Sequence, residues 1–386
     1  MADSGRRPRA RGRIWVAALL LLLLAAGGGA GGYLWLRHEF LSPGPGGGGR
    51  IEVAAGTNLH TVLAHLEEGS SVRSARAVQW YLRLRGLQPR VLAGTYEIPP
   101  RASPAQILQL LEEGKVVLEQ LTVVEGSTFA DFLAALAQHP QVTHTLSGKT
   151  DAEIMTALGH AGESAEGELF PDTYRFAAHT SDLTILTLAC ERMQSVLAVA
   201  WDARRADLPL GTPYQALILA SMVEKEAALK SERALIAGVF VNRLRKGMRL
   251  QSDPTVIYGL GERYDGSIHT RDLLRDTPYN TYTRTGLPPT PIALPGRESV
   301  MAAVQPANTA ALYFVATGLG DGAHHFSGTL AEHNSAVQTY LARLRSGQHG
   351  AGAARDPAAP RAPAPGVTAG AAAGPTPAGR AGAHPP

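Results

Sequence analysis

An uncharged apolar stretch near the amino terminus constrains this chain more than any other feature of its sequence. Residues 14–36 contain no Asp, Glu, Lys, Arg or His. The stretch has 23 residues, and a helix needs about 20 apolar residues to cross the hydrocarbon core of a bilayer. Trp15, Tyr33 and Trp35 lie near its two ends, where aromatic rings favour the membrane interface. The stretch therefore predicts a transmembrane helix.

The charges that flank this stretch predict its orientation. Five arginines lie between positions 6 and 13, and Arg37 is the only arginine or lysine that follows closely. The positive-inside rule then makes residues 1–13 a cytoplasmic basic tail and places the rest of the chain outside the cytoplasm. A cleaved signal peptide is the alternative, because a leucine run followed by small residues also fits that pattern. Both alternatives export the body of the chain.

Composition divides the exported part. Residues 37–49 are rich in Gly and Pro and predict a flexible linker. Residues 347–386 consist mostly of Ala, Gly and Pro and predict a disordered tail, because they cannot bury enough apolar surface to offset the entropy of ordering. The body between them, residues 50–346, has the mixed pattern of an α+β fold.

Composition also excludes several classes of function. The net charge of +3 is too small for a nucleic-acid-binding protein. A single cysteine, Cys190, excludes an intrachain disulfide framework and a zinc site built on paired cysteines. There is no phosphate-binding glycine-rich loop, and the histidines have no partners at metal-site spacing. We therefore expect neither a cofactor nor a metal.

The first part of the body contains a weak internal repeat. Cap residues at 57–58, 103–104 and 127–128 each precede a short helix with one apolar stripe, and residues 94–98 have the pattern of a strand. This arrangement predicts a small α+β module over residues 50–117 that resembles a LysM domain, which binds the glycan of peptidoglycan. A packing module without a ligand is the alternative.

A helix in the middle of the chain is predicted to carry the catalytic acid. Thr212 is its predicted N-cap, Pro213 its first residue, and it is expected to run to about Leu229. A second helix follows, with Ser231 as its predicted cap and Gly247 beyond its end.

The charged residues at the end of the first helix point in different directions. Glu226 continues the apolar stripe of Leu219, Met222 and Val223, whereas Glu224 lies about 200° away from it. Lys225, between them, is expected to be solvated. A carboxyl group at the end of an apolar stripe is partly desolvated, which raises its pKa as a general acid requires. The alternative is a solvated helix end at which all three charged side chains face water.

Three stretches rich in amides, hydroxyls and tyrosines follow. They cover residues 251–259, 277–283 and 286–292. Loops of this composition are more often functional than fillers, and their side chains suit a groove for sugars. Ordinary polar turns are the alternative.

At these residues the chain resembles the endolytic murein transglycosylases of the YceG-like family. The resemblance covers about residues 50–345, and its motifs are long. They are EGELFPDTYRF (166–176), LASMVEKEA (219–227), ERALIAGVFVNRLRKGMRLQSDPTVIYGLGERY (232–264), YNTYTRTGLPPTPIALPG (279–296) and segments within 313–341.

The resemblance implies a single-pass protein of the bacterial inner membrane whose external catalytic domain comprises residues 118–346. It implies cleavage of the β-1,4 bond between N-acetylmuramic acid and N-acetylglucosamine in nascent glycan strands. The cleavage leaves 1,6-anhydro ends and terminates elongation next to the peptidoglycan synthases, the penicillin-binding proteins.

The resemblance also assigns site residues. Glu226 matches the family's catalytic glutamate. Substrate-binding roles are expected for the positions that match its other motifs: Gln251, Asp253, Tyr258, Asn280 and Tyr282. The chain departs from the family at Ala227, where Thr or Ser is common. If that hydroxyl orients the carboxyl, a water or another side chain must replace it here.

In the expected mechanism Glu226 protonates the glycosidic oxygen and then accepts the proton of the muramoyl C6 hydroxyl. Water is not the nucleophile, so no second acid is needed, and the sequence suggests none beside Glu226. The alternatives are a hydrolytic muramidase, a membrane-tethered wall-binding scaffold without activity, and a cytosolic lyase of chorismate metabolism. The export signal disfavours the last of these.

Overall fold

The protein has a mixed α and β fold in a computed structural model that describes residues 9–54 and 56–346. The predicted disordered tail and residues 1–8 of the predicted basic tail lie outside the described residues. The helices are α1 (Arg9–Leu41), α2 (Leu59–Glu68), α3 (Ala75–Arg85), α4 (Pro104–Glu113), α5 (Phe129–Gln138), α6 (Asp151–Ala157), α7 (Asp182–Asp202), α8 (Pro213–Glu226), α9 (Arg233–Arg245), α10 (Asp253–Leu260), α11 (Thr270–Leu274), α12 (Arg297–Val304) and α13 (Leu330–Arg345). The strands are β1 (Gly49–Val53), β2 (Gly94–Ile98), β3 (Leu118–Thr122), β4 (Val142–Thr143), β5 (Thr173–Ala177), β6 (Thr180–Ser181), β7 (Tyr313–Ala316) and β8 (His324–Ser327).

The described residues form two compact units. The first contains the chain up to Gln120, with Gln141–Thr143 and Arg175–Thr180. The second contains Leu121–Pro140, His144–Tyr174 and the chain from Ser181 onward.

The first unit packs three short helices and a two-stranded antiparallel sheet around one core. β1 pairs with β2, and Ile51 lies opposite Tyr96. The predicted caps form as expected at two helices: Asn58 accepts the amide of Thr61 at α2, and Ser103 accepts that of Gln106 at α4. The predicted strand at 94–98 is β2. The core is built from the apolar stripes of α2, α3 and α4 and from the sheet.

α1 is the helix expected from the apolar stretch. Its segment Trp15–Leu41 is long and apolar enough to cross a membrane. The helix continues through Leu41, so the first five residues of the predicted linker are helical. Packing explains the extension, because Leu36 contacts the core of the first unit and Phe40 is buried in it. The ring of Phe40 stacks on that of Tyr81 with a centroid distance of 4.5 Å.

A second helix, α7, also passes the test of length and apolar composition for a membrane span. One side of it is buried in the second unit, where Met193, Val196 and Ala200 join the core. α7 is therefore interpreted as a core helix of the second unit.

α8 is the central helix of the second unit. Every residue from 216 to 223 is buried, and the helix packs against α7, α9 and α12. Thr212 caps its start by accepting the amide of Gln215, as predicted. The helix ends at Glu226, three residues earlier than expected, because the backbone of Ala227 is extended.

α9 begins differently from the prediction. Residues 230–232 form a 3₁₀ turn, and the helix starts at Arg233 without a side-chain cap from Ser231. Gly247 follows the end of the helix in the left-handed region, with φ of 63°. The predicted loop at 251–259 is also largely helical, since α10 begins at Asp253 with Pro254 in its first turn.

Candidate active site

Glu226 is the last residue of α8, at the end of its buried stripe. Leu219, Met222 and Val223 are completely buried, as the spacing predicted, and the side chain of Glu226 is partly exposed. Protein surrounds its carboxyl group closely enough that burial raises the pKa from 4.5 to about 7. The group is therefore substantially protonated at neutral pH.

The hydroxyl of Ser252 donates a hydrogen bond to Oε1 of Glu226 at 2.6 Å. This bond opposes the effect of burial and lowers the pKa of Glu226. Ser252 is itself buried, and its amide donates to Oγ1 of Thr281 at 3.0 Å. Ser252 thus contributes the hydroxyl contact that Ala227 lacks.

A second acid lies beside Glu226, which corrects the sequence expectation that none does. The negative charge of Asp253 is close enough to raise the pKa of Glu226 further. Burial also raises the pKa of Asp253, and the hydroxyl of Tyr282 donates a hydrogen bond to its Oδ1. The expectation failed because Asp253 is 27 positions away in sequence and reaches the site through the tertiary fold.

Arg243 on α9 supplies positive charge to the same site. Its guanidinium lowers the pKa of Glu226 and is fixed by the carbonyl oxygens of Leu312, at 2.6 Å, and Leu250, at 2.8 Å. It also donates to Oε1 of Gln251 at 3.3 Å. The backbone of Gln251 has φ of 53°, a conformation that costs a non-glycine residue free energy and often marks a functional site.

Two rings, those of Tyr313 and His333, lie next to Arg243. The guanidinium lies over the ring of Tyr313 at 5.2 Å, and His333 stacks on that ring at 5.1 Å. Nδ1 of His333 is buried and has no hydrogen-bond partner in the described part of the chain. Burial and the charge of Arg243 lower the pKa of His333, so this imidazole is predominantly neutral at neutral pH.

The other two charges of the Glu-Lys-Glu segment are engaged in structural contacts. Oε1 of Glu224 pairs with Arg233 at 2.7 Å, and Oε2 accepts the amide of Gly296 at 2.9 Å. Lys225 donates to the carbonyl of Gly126 at 3.2 Å and is half-buried, so the expectation that it is solvated was wrong. Neither Glu224 nor Glu226 faces open solvent, which contradicts the alternative of a solvated helix end.

The predicted site residues do not all converge. The structure brings Glu226, Gln251, Asp253 and Tyr282 together. The hydroxyl of Tyr258 donates instead to Oε2 of Glu166 at 3.1 Å.

Asn280 is almost completely buried. Its amide nitrogen donates to the carbonyls of Asp272, Leu273 and Arg275, and its oxygen accepts the amide of Tyr282. This geometry does not support the predicted contact of Asn280 with a sugar, because its hydrogen-bonding groups brace the loop.

The first four residues of the third polar stretch lie near the start of α8, away from Glu226. Residues 286–289 line a cavity of about 480 Å³ together with Tyr214 and Gln215, at the start of α8. Twelve residues of helix, about 18 Å, separate Tyr214 from Glu226. This part of the stretch therefore does not contribute to the surroundings of the acid. Among the described residues no group of three His, Cys, Asp or Glu side chains is arranged to hold a metal.

Several site residues have no signal in the sequence that links them to Glu226. Ser252 stands inside a predicted polar stretch, and Arg243 and Tyr313 stand inside matched motifs, but their contacts depend on long-range packing.

The family model for the YceG-like family matches residues 51–339, three quarters of the chain. The chain belongs to the YceG-like family.

Relatives of this YceG-like chain include two proteins named endolytic murein transglycosylase. The one from Bacillus subtilis (strain 168) is 31% identical over 308 residues, covering 75% of this chain and 84% of that protein. The one from Streptococcus pneumoniae (strain ATCC BAA-255 / R6) is 26% identical over 323 residues, covering 75% of this chain and 58% of that protein. A crystal structure of a yceG-like protein from Listeria monocytogenes is 30% identical, covers 75% of this chain and 99% of that one, and gives a TM-score of 0.47.

Proposed function

We propose that this protein is an endolytic murein transglycosylase that cleaves the glycan strands of peptidoglycan, with Glu226 as its catalytic acid. The observation on which the proposal rests is the environment of the Glu226 carboxyl group. Glu226 has a pKa raised to about 7 by burial and is held by the Ser252 hydroxyl at the end of a buried helix. Membership of the YceG-like family and the names of the relatives support the substrate class.

In the proposed reaction Glu226 gives its proton to the glycosidic oxygen between N-acetylmuramic acid and N-acetylglucosamine. The C1–O bond breaks, and positive charge develops on the muramoyl sugar, as in glycosidases generally. The C6 hydroxyl of the same sugar then attacks C1 and returns a proton to Glu226. The products are a 1,6-anhydro end and a free 4-hydroxyl, and no water is consumed.

Asp253 and Tyr282 are proposed to act on the developing charge. A carboxylate near an oxocarbenium-like sugar stabilises it electrostatically. The Tyr282 hydroxyl, which donates to Asp253, holds that carboxyl in place. Gln251, next to Arg243, is the amide best placed to bind a sugar substituent close to Glu226. Tyr258 is proposed to bind the glycan further from the acid.

Hydrolysis by the same site is the second candidate, and Asp253 is the observation that favours it. A second carboxylate near the acid can activate water, which gives a reducing end in place of an anhydro end. The two products differ by the mass of one water. Digestion of nascent glycan strands by the full chain, followed by mass analysis of the products, separates the two reactions. Reducing ends alone would reject the transglycosylase.

Glu226→Gln tests the assignment of the acid, because glutamine keeps the shape of the side chain but has no acidic proton to donate. We expect its product yield to fall at least 10²-fold. Glu168→Gln is the matched control, since burial also raises the pKa of Glu168 to about 7 but its charge acts on Tyr214, at the far end of α8. Normal product from Glu226→Gln would reject the catalytic assignment and favour a wall-binding scaffold.

The location of the protein belongs to the same proposal. α1 is proposed to anchor the chain in the bacterial inner membrane, with residues 1–13 in the cytoplasm and the rest outside. Residues 50–117 are proposed as a LysM-like glycan-binding module and residues 118–346 as the catalytic domain. Cleavage of nascent strands there would terminate elongation beside penicillin-binding proteins.

A further inference from the structure

The outer face of α3 is a surface that the proposed reaction does not use. Two large apolar side chains on it are exposed, Trp80 (55% exposed) and Leu84 (59%), and a third, Leu87 (48%), is exposed just after the helix. Trp80 and Leu84 are four positions apart and lie on one side of the helix, and Leu87 directly follows the C-cap glycine of α3. A clustered apolar patch of this kind on a soluble surface marks a site of interaction.

The segment that contains α3 is strongly basic. Residues 69–96 contain five arginines and no Asp or Glu, namely Arg73, Arg76, Arg83, Arg85 and Arg90. All five are exposed, and none pairs with a carboxylate in the described part of the chain. The guanidinium of Arg83 lies over the Trp80 ring at 5.8 Å, which keeps positive charge beside the apolar patch. We call these three apolar residues and five arginines the α3 face.

α1 packs against α3, the helix that carries Trp80 and Leu84. The ring of Tyr33 on α1 stacks on that of Tyr81 on α3 at 6.2 Å, and Tyr81 is adjacent to Trp80. Trp15 and Tyr33 are separated by about 27 Å of helix, close to the roughly 30 Å of a hydrocarbon core. When α1 spans a bilayer with Trp15 at one interface, Tyr33 lies at the other. Tyr81, and with it α3, then lies at that second interface.

We propose that the α3 face docks on the outer surface of the membrane that α1 crosses, and that its ligand is anionic phospholipid. Trp80 and the two leucines suit the boundary between headgroups and acyl chains, where tryptophan is favoured. Unpaired arginines suit lipid phosphate, which a guanidinium binds through two hydrogen bonds. The docking rests on the proposed membrane span of α1 and adds to it a second, charge-dependent attachment of the first unit.

The test uses the full chain in nanodiscs made of phosphatidylcholine alone or mixed with anionic phosphatidylglycerol. A nitroxide is attached to Leu84→Cys, and its collision rates with oxygen and with a water-soluble nickel chelate are measured. The native Cys190 is buried. Leu118→Cys, at an exposed leucine on β3, is the matched control. Leu24→Cys in α1 reports separately whether the helix spans the disc.

We expect the oxygen-to-nickel ratio at position 84 to rise several-fold when anionic lipid is present, with no change at 118. The double substitution Arg76→Glu and Arg83→Glu should abolish that rise. A label at 84 that stays equally accessible to nickel in both discs, or a rise that survives the double substitution, would overturn the docking. A label at 24 that contacts water throughout would refute the span of α1 and the docking with it, and would leave the catalytic assignment of Glu226 untouched.

Discussion

At the scale of single residues, the protonation of Glu226 is set by opposing neighbours. Burial and Asp253 raise its pKa, whereas the hydrogen bond from Ser252 and the charge of Arg243 lower it. A general acid must be protonated to act, so activity is expected to fall as the pH rises above about 7. The two neighbours adjacent in sequence, Ser252 and Asp253, therefore provide a pair of substitutions with opposite effects.

Ser252→Ala should shift the alkaline limb of the activity profile to higher pH, and Asp253→Asn should shift it to lower pH. The expected shifts are about half a unit to one unit, since one pKa unit corresponds to about 1.4 kcal/mol of interaction. The profile of kcat/KM against pH measures both. Asp202→Asn, at the exposed end of α7, is the control and should not move the limb. Shifts in the same direction would refute the assignment of these neighbours.

The raised pKa of Glu226 also predicts how stability depends on pH. Between pH 4.5 and 7 the folded chain binds a proton at Glu226 that the unfolded chain has lost. The free energy of unfolding therefore decreases as pH rises through this window. Glu226→Gln removes this effect and should be more stable than the parent by about 1–3 kcal/mol at pH 8, with no gain at pH 4. Unfolding by denaturant at the two pH values measures the difference, and an equal gain at both would contradict it.

These residues also show which features of the site can be predicted from the sequence. The position of Glu226 was predictable, because helical periodicity alone places it on the buried stripe of Leu219 and Met222. The hydroxyl that contacts it was not predictable, since a hydrogen bond between positions 226 and 252 depends on how α8 and α10 pack. The hydrogen bonds of Asn280 were not predictable for a related reason. Composition shows that an amide is present, but not that its nitrogen donates to three backbone carbonyls.

At the scale of elements, ion pairs of Arg233 stabilise the turn between α8 and α9. Arg233, the first residue of α9, is buried and pairs with Glu224 at the end of α8. It also contacts Glu125 and Glu298, which are more exposed. The sequence predicted the start of α8 from Thr212 and Pro213, which act locally. It placed the start of α9 wrongly at Ser231, because the contacts that fix Arg233 come from distant parts of the chain.

Glu224→Gln is expected to destabilise the fold by about 3 kcal/mol, because it leaves a buried guanidinium without its closest counter-charge. Lys230→Gln, at an exposed lysine 3.6 Å from Glu298, is the control and should cost less than about 1 kcal/mol. The alkaline limb of activity in Glu224→Gln should stay at the parent pH, since Glu224 does not contribute to the pKa of Glu226. A limb that moves with Glu224→Gln would mean that the two carboxylates share one site.

At the scale of the whole molecule, α1 belongs both to the predicted membrane segment and to the first unit. The composition of residues 14–36 predicted the apolar helix. It did not predict that the helix continues to Leu41, because that extension depends on contacts of Leu36 and Phe40 with the core. A cleaved signal peptide would end before these contacts, near the small residues at 27–32. An uncleaved anchor keeps the helix continuous from the membrane into the folded unit.

The two alternatives predict different masses for the protein extracted from membranes. We expect the mass of the uncleaved chain, because Tyr33, Leu36 and Phe40 hold the end of α1 on the first unit. A signal peptide would give a chain shorter by about thirty residues that is released without detergent. Phe40→Ala provides a further check, since loss of its stacking on Tyr81 should lower the stability of the first unit by about 3 kcal/mol without releasing the chain from the membrane. Release of a shortened chain from either protein would show that α1 is an export signal and not an anchor.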